Sequence, residues 1–282
     1  MNFIQCRDNH IFPGTVNWYG FDDAARFQEN TKKLPDVMAV WQDQTFDYTL
    51  NSQGFRAPEF LRVDWVNSVA VLGCSIVLGE GLNNTQCLTY HLSKIIDQPV
   101  INLGISGAGP DLIFHNTLAL QRQYPQLQRV IIVWPGADRL TEFTDQGANN
   151  YGSWNCDPTK FEDLTGWHRI YAIMNAKSEH RAHVIKMYSC ALQSIWGDRL
   201  CEFTWAPETA DHIDCELLNA DRGDWDRGDL TRGDWARDLM HPGPLSHREW
   251  AQQIAGSLRY AKRFETINYS KGVNHDNMDT NN

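Results

Sequence analysis

The chain has 282 residues, a length that suits one α/β domain with a large core and insertions, or two small domains. It carries 25 basic and 35 acidic residues, a net charge of −10, so we expect no nucleic-acid partner. It has no run of about 18 apolar residues, and its start lacks a basic stretch followed by an apolar one, so neither a membrane span nor a secretory signal is expected. The seven cysteines form no CxxC pair, and we predict a cytoplasmic protein with reduced thiols.

Short apolar runs alternate with amphipathic segments in the first half of the chain. The runs predict buried strands, and the segments between them predict helices, the first with Thr85 as its N-cap. The strands are expected at residues 69–73, 99–104 and 130–134, and the helices at residues 85–96 and 110–124. Strands that alternate with helices in this way favour an α/β fold with a parallel sheet and right-handed crossovers.

The remaining segments are arranged around this core. We predict an N-terminal extension packed on the core at residues 1–67, a main domain at 68–265 and a disordered tail at 266–282. Within the main domain, residues 139–165 are polar and aromatic without clear periodicity and are interpreted as an insertion over one end of the sheet. Further elements are expected as helices at 167–197, a fourth strand at 200–205 and a last helix at 246–260.

A five-residue repeat occupies residues 221–235, where Asp-Arg-Gly-Asp-Trp, Asp-Arg-Gly-Asp-Leu and Thr-Arg-Gly-Asp-Trp follow one another. A period of five suits no solenoid, so the segment is interpreted as a duplicated surface loop. Two alternatives are a lid beside the functional site and an Arg-Gly-Asp adhesion ligand. Integrin binding through the repeat is not expected, because the sequence predicts no secretion.

The residues that follow the predicted strands are candidates for chemistry, because function in an open α/β sheet gathers beyond the carboxyl ends of the strands. Ser75 comes just after the first strand, so its hydroxyl can project into the crevice and its N–H can face a developing negative charge. A serine hydroxyl is a weak nucleophile at neutral pH and needs a base. Asp238 and His241 can supply one, since the carboxylate can hold the Nδ1–H of the imidazole and leave Nε2 for the serine.

These motifs resemble the SGNH/GDSL hydrolase family over about residues 50–140 and 236–260. The matching blocks are Leu72-Gly73-Cys74-Ser75-Ile76-Val77-Leu78-Gly79-Glu80-Gly81, with Cys74 where Asp is usual, Ile101-Asn102-Leu103-Gly104-Ile105-Ser106-Gly107, and Asp238-Leu239-Met240-His241-Pro242. The resemblance implies a flavodoxin-like three-layer α/β/α sandwich with a central parallel sheet. It also implies Ser75 as nucleophile, Asp238 and His241 as its acid–base partners, and an oxyanion hole made by the N–H groups of Ser75 and Gly107.

The third block of the family has a different sequence here. The family has Gly-x-Asn-Asp, and this chain has Trp134-Pro135-Gly136-Ala137-Asp138-Arg139. Ala137 stands where the oxyanion-hole asparagine is usual, and the loss of one such donor typically costs about 10²–10³ in rate. Arg139 is the nearest candidate for a substitute donor.

The resemblance implies a serine hydrolase that cleaves carboxylic esters through an acyl-Ser75 intermediate, with acyl or acetyl groups on a lipid, a carbohydrate or another small molecule as substrate. Two alternatives are an acyltransferase on the same scaffold and a catalytically impaired binding protein, which Ala137 favours. We expect no metal and no cofactor, because His180 and His183 lack an HExxH context and the cysteines form no cluster. Aromatic residues of the insertion could form a sugar or acyl platform, or pack as a lid: Phe143, Tyr151, Trp154, Phe161 and Trp167.

Overall fold

Strands and helices alternate along the residues that the computed structural model describes, which are 1–5, 13–155, 165–175, 178–219 and 233–271. The strands are β1 (Gly14–Val16), β2 (Tyr48–Leu50), β3 (Val69–Gly73), β4 (Val100–Gly104), β5 (Arg129–Trp134), β6 (Leu140–Thr144), β7 (Gly147–Tyr151), β8 (Leu200–Thr204) and β9 (Glu216–Leu217). The helices are α1 (Ala24–Lys33), α2 (Pro35–Gln42), α3 (Ser75–Leu78), α4 (Leu88–Ile96), α5 (Pro110–Gln123), α6 (Gly166–Asn175), α7 (Ser178–Trp196), α8 (Pro207–Ala210) and α9 (Pro244–Lys271).

A five-stranded parallel sheet in the order β4-β3-β5-β8-β9 forms the centre of the molecule. Every residue of β3 is buried, and so is β5 from Val130 to Trp134. Strands that are covered on both faces are near-continuous apolar runs, and this is why the sequence pattern revealed them. The predicted α/β class with a parallel sheet is confirmed, and the fourth predicted strand is β8.

Helices cover both faces of this sheet. The chain steps from β3 outward to β4 and then back past β3 to β5, so right-handed crossovers place α4 and α5 on opposite faces. The crossover from β5 to β8 continues in the second direction, and α7 accordingly packs beside α5, while α9 packs against α4. The result is the three-layer α/β/α sandwich that the resemblance implies.

The start of α4 differs from the prediction that a helix begins at Thr85. A separate 3-10 turn at Asn84–Gln86 precedes α4, which begins at Leu88. The Asn83 side chain accepts a hydrogen bond from the Thr85 N–H, and the Gln86 side chain accepts one from the Asn83 N–H. This reciprocal cap fixes the short turn, and Thr85 is therefore not the N-cap of α4.

The last helix, α9, is longer than the predicted 246–260. Asp234, in the last copy of the repeat, caps its first turn by accepting a hydrogen bond of 2.6 Å from the Ser246 N–H. No glycine or proline interrupts residues 257–271, so the helix continues past residue 266, where the tail was predicted to begin. Residues 220–232, which hold most of the repeat, and residues 272–282 lie outside the described residues. No described helix is both long and apolar enough to cross a bilayer.

The predicted insertion contains an antiparallel hairpin of β6 and β7. Gly147 opens β7 with a φ of 135°, a backbone conformation that favours glycine. The hairpin buries polar side chains, Thr141 and Asn150, and this is why alternation of polarity did not reveal its strands. Residues 156–164 of the insertion lie outside the described residues.

The N-terminal residues 13–67 pack on the segments that carry the candidate site. Their antiparallel β1–β2 pair and the helices α1 and α2 bury a second hydrophobic cluster. Met38, Trp41 and Tyr48 come from this N-terminal part, whereas Leu82 and Leu239 come from segments next to Ser75 and His241. The N-terminal part therefore supports the site directly.

Candidate active site

Ser75 lies at the sharp junction between β3 and α3. A side chain on Gly73, the last residue of β3, would come within 2.4 Å of Val77 Cγ2 and 2.9 Å of the Val133 carbonyl oxygen. Only glycine allows this close approach of the turn to the sheet. Ser75 is then the first residue of α3, so its N–H has no partner within the helix and is available to a bound group.

The structure brings Ser75, His241 and Asp238 together in one hydrogen-bonded relay. His241 Nε2 lies 2.8 Å from Ser75 Oγ, and His241 Nδ1 lies 2.5 Å from Asp238 Oδ2. The other carboxylate oxygen of Asp238 accepts hydrogen bonds from the Met240 N–H (2.9 Å) and the His241 N–H (3.2 Å). The carboxylate thus fixes the imidazole ring with Nε2 directed at the serine hydroxyl.

A strained turn makes this arrangement possible. Leu239, between the acid and the histidine, has a φ of 53°, in the left-handed region that costs an ordinary L-residue about 1–2 kcal/mol. Two backbone hydrogen bonds hold the turn, from the Leu239 N–H to the Ala236 carbonyl (3.0 Å) and from the Ala236 N–H to the His241 carbonyl (2.9 Å). The Leu239 side chain is also buried in the second hydrophobic cluster, which offsets the strain.

The electrostatic environment favours the protonated form of His241. Burial alone would lower the pKa of this imidazole, but the negative charges of Asp238 and Glu80 and the hydrogen bond to Asp238 raise the pKa to about 9. An imidazolium formed during a reaction is therefore stabilised at this position.

Glu80 is a site residue to which the sequence analysis assigned no role. Its fully buried carboxylate accepts hydrogen bonds from the Phe21 N–H and from Ser106 Oγ, the latter at 2.6 Å. Burial raises the pKa of this carboxyl, against the lowering effect of the His241 charge. The signal that could have found it is an acidic residue between two glycines, Gly79 and Gly81, directly after the serine block.

The carboxylates and the imidazole are close enough to be considered as metal ligands. Ligand atoms of Glu80, Asp238 and His241 lie within 4.8 Å of one another. However, both ring nitrogens of His241 are already hydrogen-bonded, Nδ1 to Asp238 and Nε2 to Ser75. The Glu80 oxygens accept hydrogen bonds from the Phe21 N–H and from Ser106 Oγ. The arrangement suits proton transfer between hydrogen-bonded groups better than metal coordination.

Gly107 follows the end of β4, and the third block follows the end of β5, the strands on either side of β3. The loop after β4 is tied to β3 by a hydrogen bond of 3.1 Å from the Ile105 N–H to the Gly73 carbonyl, and Gly107 follows with a φ of 70°. Ala137 is buried and offers no side-chain donor. Arg139 Nη1 donates to the Ala108 carbonyl at 3.3 Å, so its guanidinium lies beside the residue that follows Gly107.

A buried ion pair joins the N-terminal part to the segment that carries Asp238 and His241. Arg237 donates to both carboxylate oxygens of Asp22, through Nε at 2.9 Å and Nη2 at 2.5 Å, and the Tyr48 hydroxyl donates to the same carboxylate at 2.6 Å. We call Asp22, Tyr48 and Arg237 the clasp. Phe21, next to Asp22, has its ring centroid 6.5 Å from that of His241. The clasp therefore fixes the position of Phe21 beside His241.

No protein-family model and no curated protein sequence matches the chain. Among solved structures it is similar to TesA, with 15% identity over 69% of this chain and 99% of that one and a TM-score of 0.38. It is also similar to a member of the lipolytic G-D-S-L family from Veillonella parvula, with 8% identity over 66% of this chain and 94% of that one and a TM-score of 0.35. A third is described as a GDSL-like lipase from Bacteroides ovatus, with 12% identity over 79% of this chain and 58% of that one and a TM-score of 0.37. Two of these three structures carry the GDSL name.

Proposed function

We propose that the chain is a serine hydrolase that cleaves small-molecule carboxylic esters through an acyl-Ser75 intermediate. The observation that carries the proposal is the relay from Asp238 through His241 to Ser75, with contacts of 2.5 and 2.8 Å between buried groups. A serine hydroxyl that lies within hydrogen-bond distance of an oriented imidazole is the arrangement of an activated nucleophile.

The first half of the reaction forms the acyl-enzyme. Ser75 Oγ attacks the ester carbonyl carbon while His241 Nε2 accepts the hydroxyl proton, and Asp238 stabilises the imidazolium that results. The carbonyl oxygen becomes an oxyanion that accepts hydrogen bonds from the N–H groups of Ser75 and Gly107. When this intermediate collapses, the bond to the alcohol oxygen breaks, and the alcohol leaves with the proton from His241.

The second half releases the acid by the same groups. A water molecule gives a proton to His241 Nε2 and attacks the acyl carbonyl carbon, the bond to Ser75 Oγ breaks, and the serine recovers its proton. A sugar hydroxyl in place of water would give the acyltransferase reaction. Product analysis with and without a sugar acceptor separates these two outcomes.

A fluorophosphonate probe tests the proposal without knowledge of the substrate. We expect covalent labelling at Ser75, located by peptide mapping, and none in Ser75→Ala. Ser194→Ala, which removes an exposed serine of α7, is the matched control and should label like the wild type. Turnover of p-nitrophenyl acetate should be lost in Ser75→Ala only. An unlabelled wild-type chain, with the same background turnover in all three proteins, would overturn the hydrolase in favour of a binding protein.

A further inference from the structure

The replacement of the family asparagine by Ala137 leaves the oxyanion hole with backbone donors, unless another part of the chain supplies a side chain. Asn150 on β7 carries one of several buried polar atoms that have no hydrogen-bond partner among the described residues, and its position bears on this question. Its side chain is 3% exposed, yet its amide nitrogen Nδ2 has no hydrogen-bond partner among the described residues. Buried amide donors are almost always paired, and leaving one unpaired costs about 1–3 kcal/mol, so such a group needs an explanation.

Asn150 lies against the glycine of the proposed oxyanion hole. A Cβ atom on Gly107 would be 3.9 Å from Asn150 Cβ and 3.6 Å from Trp154 Cζ2. The Asn150 amide nitrogen is two bonds beyond its Cβ, so it is within hydrogen-bond reach of a group bound next to Gly107. The hairpin thus carries a side-chain amide to the neighbourhood of Gly107.

Two contacts hold this amide in a defined orientation. Asn150 Oδ1 accepts a hydrogen bond of 2.6 Å from Thr141 Oγ1 on the neighbouring strand β6, which leaves the NH₂ group directed away from Thr141. The backbone is fixed as well, because Asn155 Nδ2 donates to the Asn150 carbonyl at 2.9 Å. A donor that is oriented before the charge appears needs no reorganisation during the reaction, and this is the property that makes oxyanion-hole donors effective.

We propose that Asn150 Nδ2 donates a hydrogen bond to the oxyanion of the tetrahedral intermediate, in the role that the family gives to the residue at the position of Ala137. This inference rests on the proposed ester hydrolysis at Ser75. Arg139, the substitute suggested by the sequence, is engaged elsewhere. Its guanidinium donates to the Ala108 carbonyl and lies over Trp154 at 4.8 Å and over Trp205 at 5.5 Å. It supports the aromatic wall next to Asn150.

Steady-state kinetics with p-nitrophenyl acetate test this role. Asn150→Ala should lower kcat by about 10²–10³-fold with little change in KM, because the lost contact forms only in the transition state. Thr141→Val, which removes the hydroxyl that orients the amide, should also lower kcat, and Thr141→Ser should restore it. The matched control is Asn149→Ala, whose amide bonds to Glu142 Oε2 at 2.9 Å instead, and it should keep the wild-type kcat.

Spectroscopy of the wild-type protein gives a readout that does not depend on the folding of a variant. When a fluorophosphonate has reacted with Ser75, its phosphoryl oxygen mimics the oxyanion, and the side-chain NH₂ signal of Asn150 should shift downfield. Labelling of Ser75 without this shift, or a wild-type kcat in Asn150→Ala, would overturn the inference and leave the proposed function intact. Failure of the wild type to label would instead overturn the proposed function.

Discussion

The two sides of Ser75 differ in the partners of the groups to which the proposed mechanism gives a role. On the His241 side, each ionisable group has a partner within the protein. Asp238 is hydrogen-bonded to His241, Glu80 accepts a hydrogen bond from Ser106, and Arg237 of the clasp donates to Asp22. On the Gly107 side, the Asn150 amide nitrogen is buried without a partner among the described residues. In the proposed mechanism, the acid–base groups are therefore already bonded to one another in the folded chain, whereas the proposed oxyanion donor at Asn150 would gain its partner only from the substrate.

This difference agrees with the stage at which each group needs a partner, which is folding for the carboxyl groups and the reaction for the oxyanion donor. The carboxyl groups of the His241 side are present in the resting protein, and burying such a group without a partner is costly, so folding must pair them. The oxyanion exists only during the reaction, so a donor that is reserved for it has no hydrogen-bond partner before the substrate reacts. Variants on the His241 side should therefore affect stability and proton transfer, whereas variants on the Gly107 side should affect kcat with little loss of stability.

The largest effect on activity is expected from Asp238→Asn. The amide keeps the shape of the side chain, but it favours the wrong tautomer of His241 and does not stabilise the imidazolium. The equivalent change in a Ser-His-Asp triad lowers kcat by about 10⁴-fold, and we expect a loss of that order for p-nitrophenyl acetate. Asp214→Asn, which changes an exposed aspartate, is the control and should retain full activity. A loss of less than about tenfold would mean that Asp238 does not polarise His241.

The largest effect on stability is expected from Arg237→Met in the clasp. Burial raises the pKa of Asp22, and the hydrogen bonds from Arg237 and Tyr48 oppose this. Without Arg237, the Asp22 carboxylate stays buried with no cation, and the free energy of unfolding should fall by about 3–5 kcal/mol in urea titrations. The double variant Asp22→Asn with Arg237→Met should recover part of the loss, because it leaves no unpaired charge.

Two controls locate this effect in the buried clasp. Lys33→Met breaks an exposed ion pair with Glu29 on α1 and should change the unfolding midpoint little, since solvent screens such pairs. If the double variant is no more stable than Arg237→Met alone, the loss comes from packing of the arginine against Trp18 and Phe46, whose ring centroids lie 4.1 and 3.8 Å from its guanidinium carbon.

The parts of the molecule that could be predicted from the sequence are those encoded locally. The strand at residues 69–73 was visible as an apolar run, and Asp238 and His241 were visible because they are close together in sequence. Glu80 and Asn150 could not be assigned roles in this way. The partners of Glu80 include Phe21, 59 residues away, and Asn150 acquires its place only when the hairpin folds over Gly107. Contacts between distant parts of a chain leave no periodic pattern in the sequence.

The smallest expected effect is a change in pH dependence, produced by Glu80→Gln. Neutral His241 is the form that accepts the serine proton, so kcat/KM should rise with pH through the His241 pKa of about 9. Removing the Glu80 charge removes one of the causes that raise this pKa, so the rising limb should move to lower pH. Each pH unit of that movement increases the neutral fraction at pH 7, and hence the rate there, about tenfold.

A Gln side chain still accepts from the Phe21 N–H and can bond to Ser106, so the geometry should survive. The pH profile should be recorded beside that of Glu216→Gln, an exposed carboxyl on β9 that should leave it unchanged. If the Glu80→Gln profile coincides with the wild type, the pKa of His241 does not depend on a charge at residue 80.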